Sequence, residues 1–116
     1  MISGTGIDII EIERINKAIK RWGKNFLEHI FNPEEIEYAS QQHFPAQHYA
    51  ARFAAKEAIY KAIGTGLQLA WKDITILNDK EGQPYCRLSK AYPNKISISL
   101  SHSKNYAIAN CIISSE

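Results

Sequence analysis

Two carboxylates and one lysine in this 116-residue chain have the types and spacing for chemistry: Asp8, Glu57 and Lys61. Glu57 and Lys61 are four residues apart in Arg52-Phe53-Ala54-Ala55-Lys56-Glu57-Ala58-Ile59-Tyr60-Lys61, so on a helix they share one line. Ala50 and Ala54 fall on the same line, flanked by Phe53 and Ala58. An acid and a base on a small-residue surface can be approached closely by a ligand or another chain segment. The ordinary alternative is an exposed ion pair worth about 0.3–0.5 kcal/mol. Asp8 has isoleucines on both sides, in Gly6-Ile7-Asp8-Ile9-Ile10. A carboxylate there is costly unless it is paired, hydrogen-bonded or bound to a metal. Backbone hydrogen bonds at the strand end and a functional role are both open to it.

The elements that must position these groups follow from the pattern. Thr5 to Ile10 reads as a short buried strand, and Ile12, Ile15, Ile19 and Trp22 recur at helical spacing after it. Gly23 ends or kinks that helix. Asn32-Pro33-Glu34-Glu35 is a helix start, with Asn as N-cap, Pro at the first position and Glu at the third. Gln41 to Ala46 is a connection into a long central helix. Six residues between Gln47 and Ile63 are Ala, and Gly64 is placed to end the helix in a positive-φ conformation. Ile59, Ile63, Tyr49 and Tyr60 take its other side, mixed with Arg52 and Lys56, so it has no clean solvent face.

After Gly66 the pattern alternates. Asp73–Leu77 and Pro84–Leu88 flank a Gly-containing loop as a hairpin, Ile96–Leu100 alternates strictly, and Tyr106–Ile113 is apolar enough for a central strand. The polar loop Ser101-His102-Ser103-Lys104-Asn105 lies between the last two. Helices first and antiparallel strands later make the class α+β: an antiparallel sheet with a long central helix and shorter N-terminal helices. The length suits a single domain over 1–116.

A hydrophobic content of 45% and a net charge of +2 describe an ordinary soluble globule, and the distribution of charge says more. Five basic residues and no acid occupy Arg14 to Lys24, whereas Glu28 to Glu37 brings four acids. That asymmetry suggests a charged docking face. Cys86 and Cys111 have no ligand spacing and read as reduced core thiols. There is neither a signal-peptide pattern nor a membrane-length apolar run, so a cytoplasmic, non-membrane protein is expected.

Three separated pieces then line up: Gly6-Ile7-Asp8-Ile9-Ile10 with Arg14-Ile15; Arg52 to Glu57 with Lys61 and Gly64-Thr65-Gly66; and Ser101-His102-Ser103 with Ala107-Ile108-Ala109. Together they resemble the holo-acyl-carrier-protein synthase group of 4′-phosphopantetheinyl transferases, from Gly4 to about Ile112. The Asn32-Pro33-Glu34-Glu35 segment with Tyr38 matches too, while Gln41 to Gln47 matches poorly.

The resemblance implies that coenzyme A gives its phosphopantetheine arm to a serine of an acyl carrier protein, releasing adenosine 3′,5′-bisphosphate, in support of fatty acid biosynthesis. It implies a magnesium cofactor on Asp8 and Glu57, with Lys61 at a phosphate and Gly64, Thr65 and Gly66 close to coenzyme A. Arg52, Ser101, His102 and Ser103 are its further coenzyme A residues. For His102, capping a strand end is the bland alternative. These residue types suit the chemistry, since magnesium takes a few carboxylates and completes its shell with phosphate oxygens and water. Glu57 and a metal-bound water are both open as the base. Arg14, Lys17, Arg21 and Lys24 would dock the acidic carrier, and the family assembly implies a homotrimer. A nucleic-acid module would spread its basic groups over several elements. Here they concentrate on one helix, so no nucleic-acid partner is expected. A purely structural adaptor would leave Asp8, Glu57, Lys61 and His102 unused.

Overall fold

The computed structural model describes residues 1–115. Strand β1 spans Ile2–Glu11, longer than Thr5–Ile10, because β5 (Tyr106–Ser114) pairs with it from Ile2 to Glu11. Glycines at 4 and 6 hide that extension from any propensity reading. Helix α1 (Ile12–Trp22) follows at once, and Gly23, at φ +56°, separates it from α2 (Lys24–Ile30). Helix α3 (Pro33–Ser40) starts as the Asn-Pro-Glu-Glu signal requires, with Glu35 Oε1 accepting the Asn32 amide at 2.8 Å.

Helix α4 (Pro45–Ile63) begins two residues before the expected Gln47. Pro45 occupies its first turn, where a missing N–H costs nothing. It stops at Gly64, φ +65°, and Gly64–Gly66 continues as a 3-10 turn, as does Trp71–Asp73 further on. The hairpin strands are β2 (Ile74–Asn78) and β3 (Pro84–Leu88), and β4 is Lys95–His102. Ser101 and His102 are therefore the end of a strand rather than part of the loop. Cross-strand pairing of Ser101 with Ile108 and His102 with Ala107 carries the ladder past Leu100.

The sheet is divided. β5 is central in a three-stranded antiparallel sheet, β1-β5-β4, and β2-β3 forms a separate ribbon. Pro93, which has no N–H to donate, lies in the connection between β3 and β4, and no ladder joins those two strands among the described residues.

Helix α4 lies across one face of the larger sheet. Ala107, Ala109, Cys111 and Ile113 of β5 are buried on that face. From β1 it receives Gly4, Gly6, Asp8 and Ile10, in register with them. A Cβ on Gly4 would overlap the Ala62 carbonyl oxygen, and one on Gly6 the Ala58 carbonyl oxygen, with the Ala62 nitrogen 2.9 Å away. Strand and helix backbones thus touch, which only glycine allows.

The opposite face of the sheet has no helix on it. Ile7 and Ile9 are each 60% exposed there, and their cross-strand partners include Ile108. Cys86 and Cys111 are free, and burial pushes their thiols up to about 11 and about 12, so both stay protonated and inert. No helix among the described residues is long and apolar enough to cross a membrane.

Candidate active site

Asp8 and Glu57 face each other across the seam between β1 and α4. The glycine pair brings the two backbones together close by, Gly6 at Ala58, the residue after Glu57, and Gly4 at Ala62, just over one turn further on. Glu57 is half-buried, and its carboxyl is held above the usual range, first by burial and then by the Asp8 charge, with Lys61 acting in the opposite sense. Lys61 does not pair back to Glu57. It crosses to β1, donating to the Ile7 carbonyl at 2.9 Å and to Asp8 Oδ1 at 3.3 Å. The Asp8 side chain is only 15% exposed while that of Lys61 is 55% exposed. The bland surface pair is thereby replaced by a bond between two elements, and Asp8 has its counter-ion.

Two hard oxygen ligands that repel one another, held on different elements at an accessible seam, suit a small divalent cation. No group of three or more His, Cys, Asp or Glu converges among the described residues. The protein can therefore supply two carboxylates and leave the remaining positions to substrate oxygens and water, the pattern magnesium favours. Gly64, Thr65 and Gly66 come after Lys61, Ala62 and Ile63 at the end of α4 and are exposed, with open space where a Cβ on either glycine would stand.

The other expected ligand-binding residues gather elsewhere. His102 Nε2 lies 2.9 Å from Gln47 Nε2 at the start of α4. His48 is pushed below the usual imidazole range by burial, then by the charges of Arg52 and His102, so its ring is held neutral between the two. Arg52 is buried, stacks 4.3 Å over the Tyr38 ring and donates to Asn78 Oδ1. Its Nε is buried without a hydrogen-bond partner. A groove of about 370 Å³ runs past it, lined by Tyr38, Asn78, Lys80 and Gly82 among others. Ser101 and Ser103 flank His102 and are exposed. At about 1.5 Å per residue, Gln47 and Glu57 are about 15 Å apart along α4. One chain thus carries two separate groups of candidate residues, one at the carboxylates and one around Arg52 and His102.

Arg14, Lys17, Arg21 and Lys24 are all exposed on and just beyond α1. The helix springs directly from β1, and its first amide, that of Ile12, donates to the Asn105 carbonyl of the β4–β5 loop at 2.9 Å. The basic face is therefore fixed relative to Asp8. Sequence reasoning missed Lys56 and Glu35, which form an ion pair at 2.8 Å with both side chains 0% exposed. The available signal was a lysine on the apolar side of the central helix, among Tyr49, Ile59 and Ile63.

The sequence model of the 4′-phosphopantetheinyl transferase superfamily matches residues 4–111. The chain belongs to that superfamily. This transferase is 45% identical, over 99% of its length and 100% of the relative's, to the holo-[acyl-carrier-protein] synthase of Protochlamydia amoebophila. Its fold matches the crystal structure of the Bacillus anthracis holo-(acyl-carrier-protein) synthase in complex with CoA (3′,5′-ADP). That match has a TM-score of 0.88 at 37% identity, covering 100% of this chain and 99% of the other. The Helicobacter pylori holo-[acyl-carrier-protein] synthase in complex with coenzyme A matches with a TM-score of 0.84 at 35% identity, over 95% of this chain and 99% of that one.

Proposed function

We propose that this transferase moves the 4′-phosphopantetheine arm of coenzyme A to a serine of an apo acyl carrier protein, serving fatty acid biosynthesis. The observation that carries the reading is the meeting of Asp8, Glu57 and Lys61 at the glycine-thinned seam. Asp8 and Glu57 would hold magnesium, which when bound neutralises and orients the charge of a pyrophosphate. Lys61 has a donor to spare beyond Ile7 and Asp8, and its ammonium would serve a phosphate oxygen beside the carboxylates. Its charge offsets the unfavourable field of the α4 C-terminus for an anion. Glu57, or a water held beside it, would take the proton of the carrier serine as that oxygen bonds to phosphorus. The bond from phosphorus to the bridging oxygen breaks, and adenosine 3′,5′-bisphosphate leaves with the electron pair. Incubating the protein with coenzyme A, magnesium and apo carrier, then weighing the carrier, tests this directly. A phosphopantetheine-sized mass gain is expected, and an unchanged carrier mass would refute the reading.

The group around Arg52 and His102 is suited to the nucleotide end of coenzyme A. Arg52, with its unpartnered Nε, and His102 with Ser101 and Ser103 offer donors for a phosphate. The separation from the carboxylates, together with the open sheet face of Ile7 and Ile9, favours a trimer. In it, coenzyme A would bridge the carboxylates of one chain and the cations of the next. Exposed apolar sheet faces mark interfaces, and cyclic closure leaves no sticky edge. Sedimentation equilibrium at micromolar protein should give three times the chain mass. A monomer that keeps full specific activity on dilution would end this reading.

The α1 face would dock the acidic carrier. Replacing Arg14 and Arg21 together by Glu should raise the KM for carrier about tenfold or more and flatten its salt dependence, because like-charge juxtaposition at a docking face costs kilocalories. The KM for coenzyme A should stay within about twofold. Equal losses for both substrates would mean that α1 is not a dedicated dock.

A further inference from the structure

We infer that the buried Lys56–Glu35 pair is a positioning device that sets the register of α4, so that Glu57 meets Asp8. The inference rests on the reading of Glu57 as a metal-holding residue. Every donor of the Lys56 ammonium is used: Glu35 Oε1 at 2.8 Å, the Ile30 carbonyl at 2.7 Å and the Trp71 carbonyl at 3.2 Å. Glu35 is tied as fully. Its Oε1 also accepts the Asn32 amide at 2.8 Å, and its Oε2 accepts the Ile76 amide at 2.9 Å. One pair therefore binds α4 to the end of α2, the start of α3, the turn at Trp71 and strand β2.

The need for such a device follows from the surface of α4 itself. Ala50, Ala51, Ala54, Ala55 and Ala58 are all buried in its contacts. Faced with methyl groups, α4 meets β1 and β5 on a smooth surface with few knobs to oppose a slide or a turn, whereas its other side buries Tyr49, Arg52 and Ile59, with Tyr49 bonded to the Ile36 carbonyl and Arg52 to Asn78. Gly4 and Gly6 add closeness on the β1 side without adding a lock. Directional hydrogen bonds supply what alanine cannot, because each loses strength steeply with angle and distance. Buried ion pairs contribute little net stability compared with well-packed apolar residues, and their best-attested use is to fix register. Lys56 is the residue before Glu57, so any slip at Lys56 is passed undiminished to the carboxylate.

The test compares two variants with the native protein: Glu35→Gln with Lys56→Met, which removes both charges together, and Lys56→Arg, which keeps the charge but changes the donor geometry. Manganese serves as the probe ion, and its binding is read from the electron paramagnetic resonance of the free ion, with coenzyme A present and no carrier. The kcat and the KM for carrier are measured alongside, well below each melting midpoint. In both variants manganese affinity should fall about tenfold, as for residues that orient metal ligands. The kcat should fall by about as much or more. The KM for carrier, set by α1, should not move. Variants that are less stable but retain native manganese affinity and kcat would overturn the inference, leaving the pair a purely structural one. Failure of both to fold would overturn it equally, since the pair would then hold the whole fold and not one helix register. Glu57→Gln run in parallel separates the two readings. If that variant is inactive while the pair variants are normal, only this inference fails; if it is active, the reading of Glu57 fails first.

Discussion

Glu57→Gln is expected to fold, to lose transfer by about a thousandfold or more, and to be slightly more stable than the native protein at neutral pH. The loss follows from removing one of two carboxylates on which several kilocalories of transition-state stabilisation are expected to depend. The gain in stability follows from the sign of the perturbation. Burial and Asp8 raise the Glu57 carboxyl above its unfolded value. Between the unfolded and folded values the native state binds more protons than the unfolded chain, so stability falls as pH rises through that window. At neutral pH the native protein is above the window and carries the full penalty, which a neutral amide does not. Asp8→Asn should lose transfer similarly, yet it also removes the counter-ion of Lys61, and no stabilisation is expected there. Thermal melts across pH with parallel transfer assays check both statements. Near-native rates for either folded variant across a magnesium titration would show that its carboxylate is dispensable.

Gly6→Ala is expected to be the most damaging single-methyl change in the chain. The new Cβ would overlap the Ala58 carbonyl oxygen, which belongs to a helix backbone and cannot rotate away. Overpacking of this kind costs about 1–3 kcal/mol or more. In a chain of this size that lowers Tm by several degrees per kcal/mol. The functional loss should exceed the loss of folded protein. If β1 is pushed off α4 by even about 1 Å, Asp8 no longer meets Glu57, and a displacement of that size can cost about a hundredfold in rate. Ala58→Gly does not relieve the clash, because the obstructing atom is main-chain. A Gly6→Ala protein with native Tm and native kcat would show that the seam opens at no cost.

Much of this was legible in the sequence, and the parts that were not share one cause. The Asn32-Pro33-Glu34-Glu35 start, the Gly23 and Gly64 stops and the hairpin around Gly82 are local devices, set by residues within a few positions of one another. Asp8, Glu57 and Lys61 stood out as candidates by residue type, and it was the resemblance of their flanking motifs, not their spacing, that tied them together. The full length of β1 was hidden because its pairing with β5 lies about a hundred residues away in sequence. The glycines that permit its contact with α4 read locally as weak strand formers. Glu35 was visible as a cap and Lys56 as one of several cations on a mixed face. Only the tertiary fold makes them one group. His102 read as a loop residue because the ladder that extends β4 is likewise contributed by another strand.

The pairing of β1 with β5 also governs when this protein can begin to work. Met1 and Ser115 exchange backbone hydrogen bonds at 2.8 and 3.0 Å, and Asp8 stands opposite Ala109. The strand that carries the first carboxylate leaves the ribosome long before the strand that holds it in place. During synthesis α4 can form from its own alanines, but Asp8 has no ladder to fix it until β5 is available. A chain stopped short of Tyr106 would carry Glu57 and Lys61 on a helix with no partner carboxylate locked opposite. On the proposed reading such fragments would neither hold a cation nor spend coenzyme A, so premature chains would be chemically silent. The same long-range closure makes folding slow for a chain of this length, since distant strands must meet before their contacts stabilise anything.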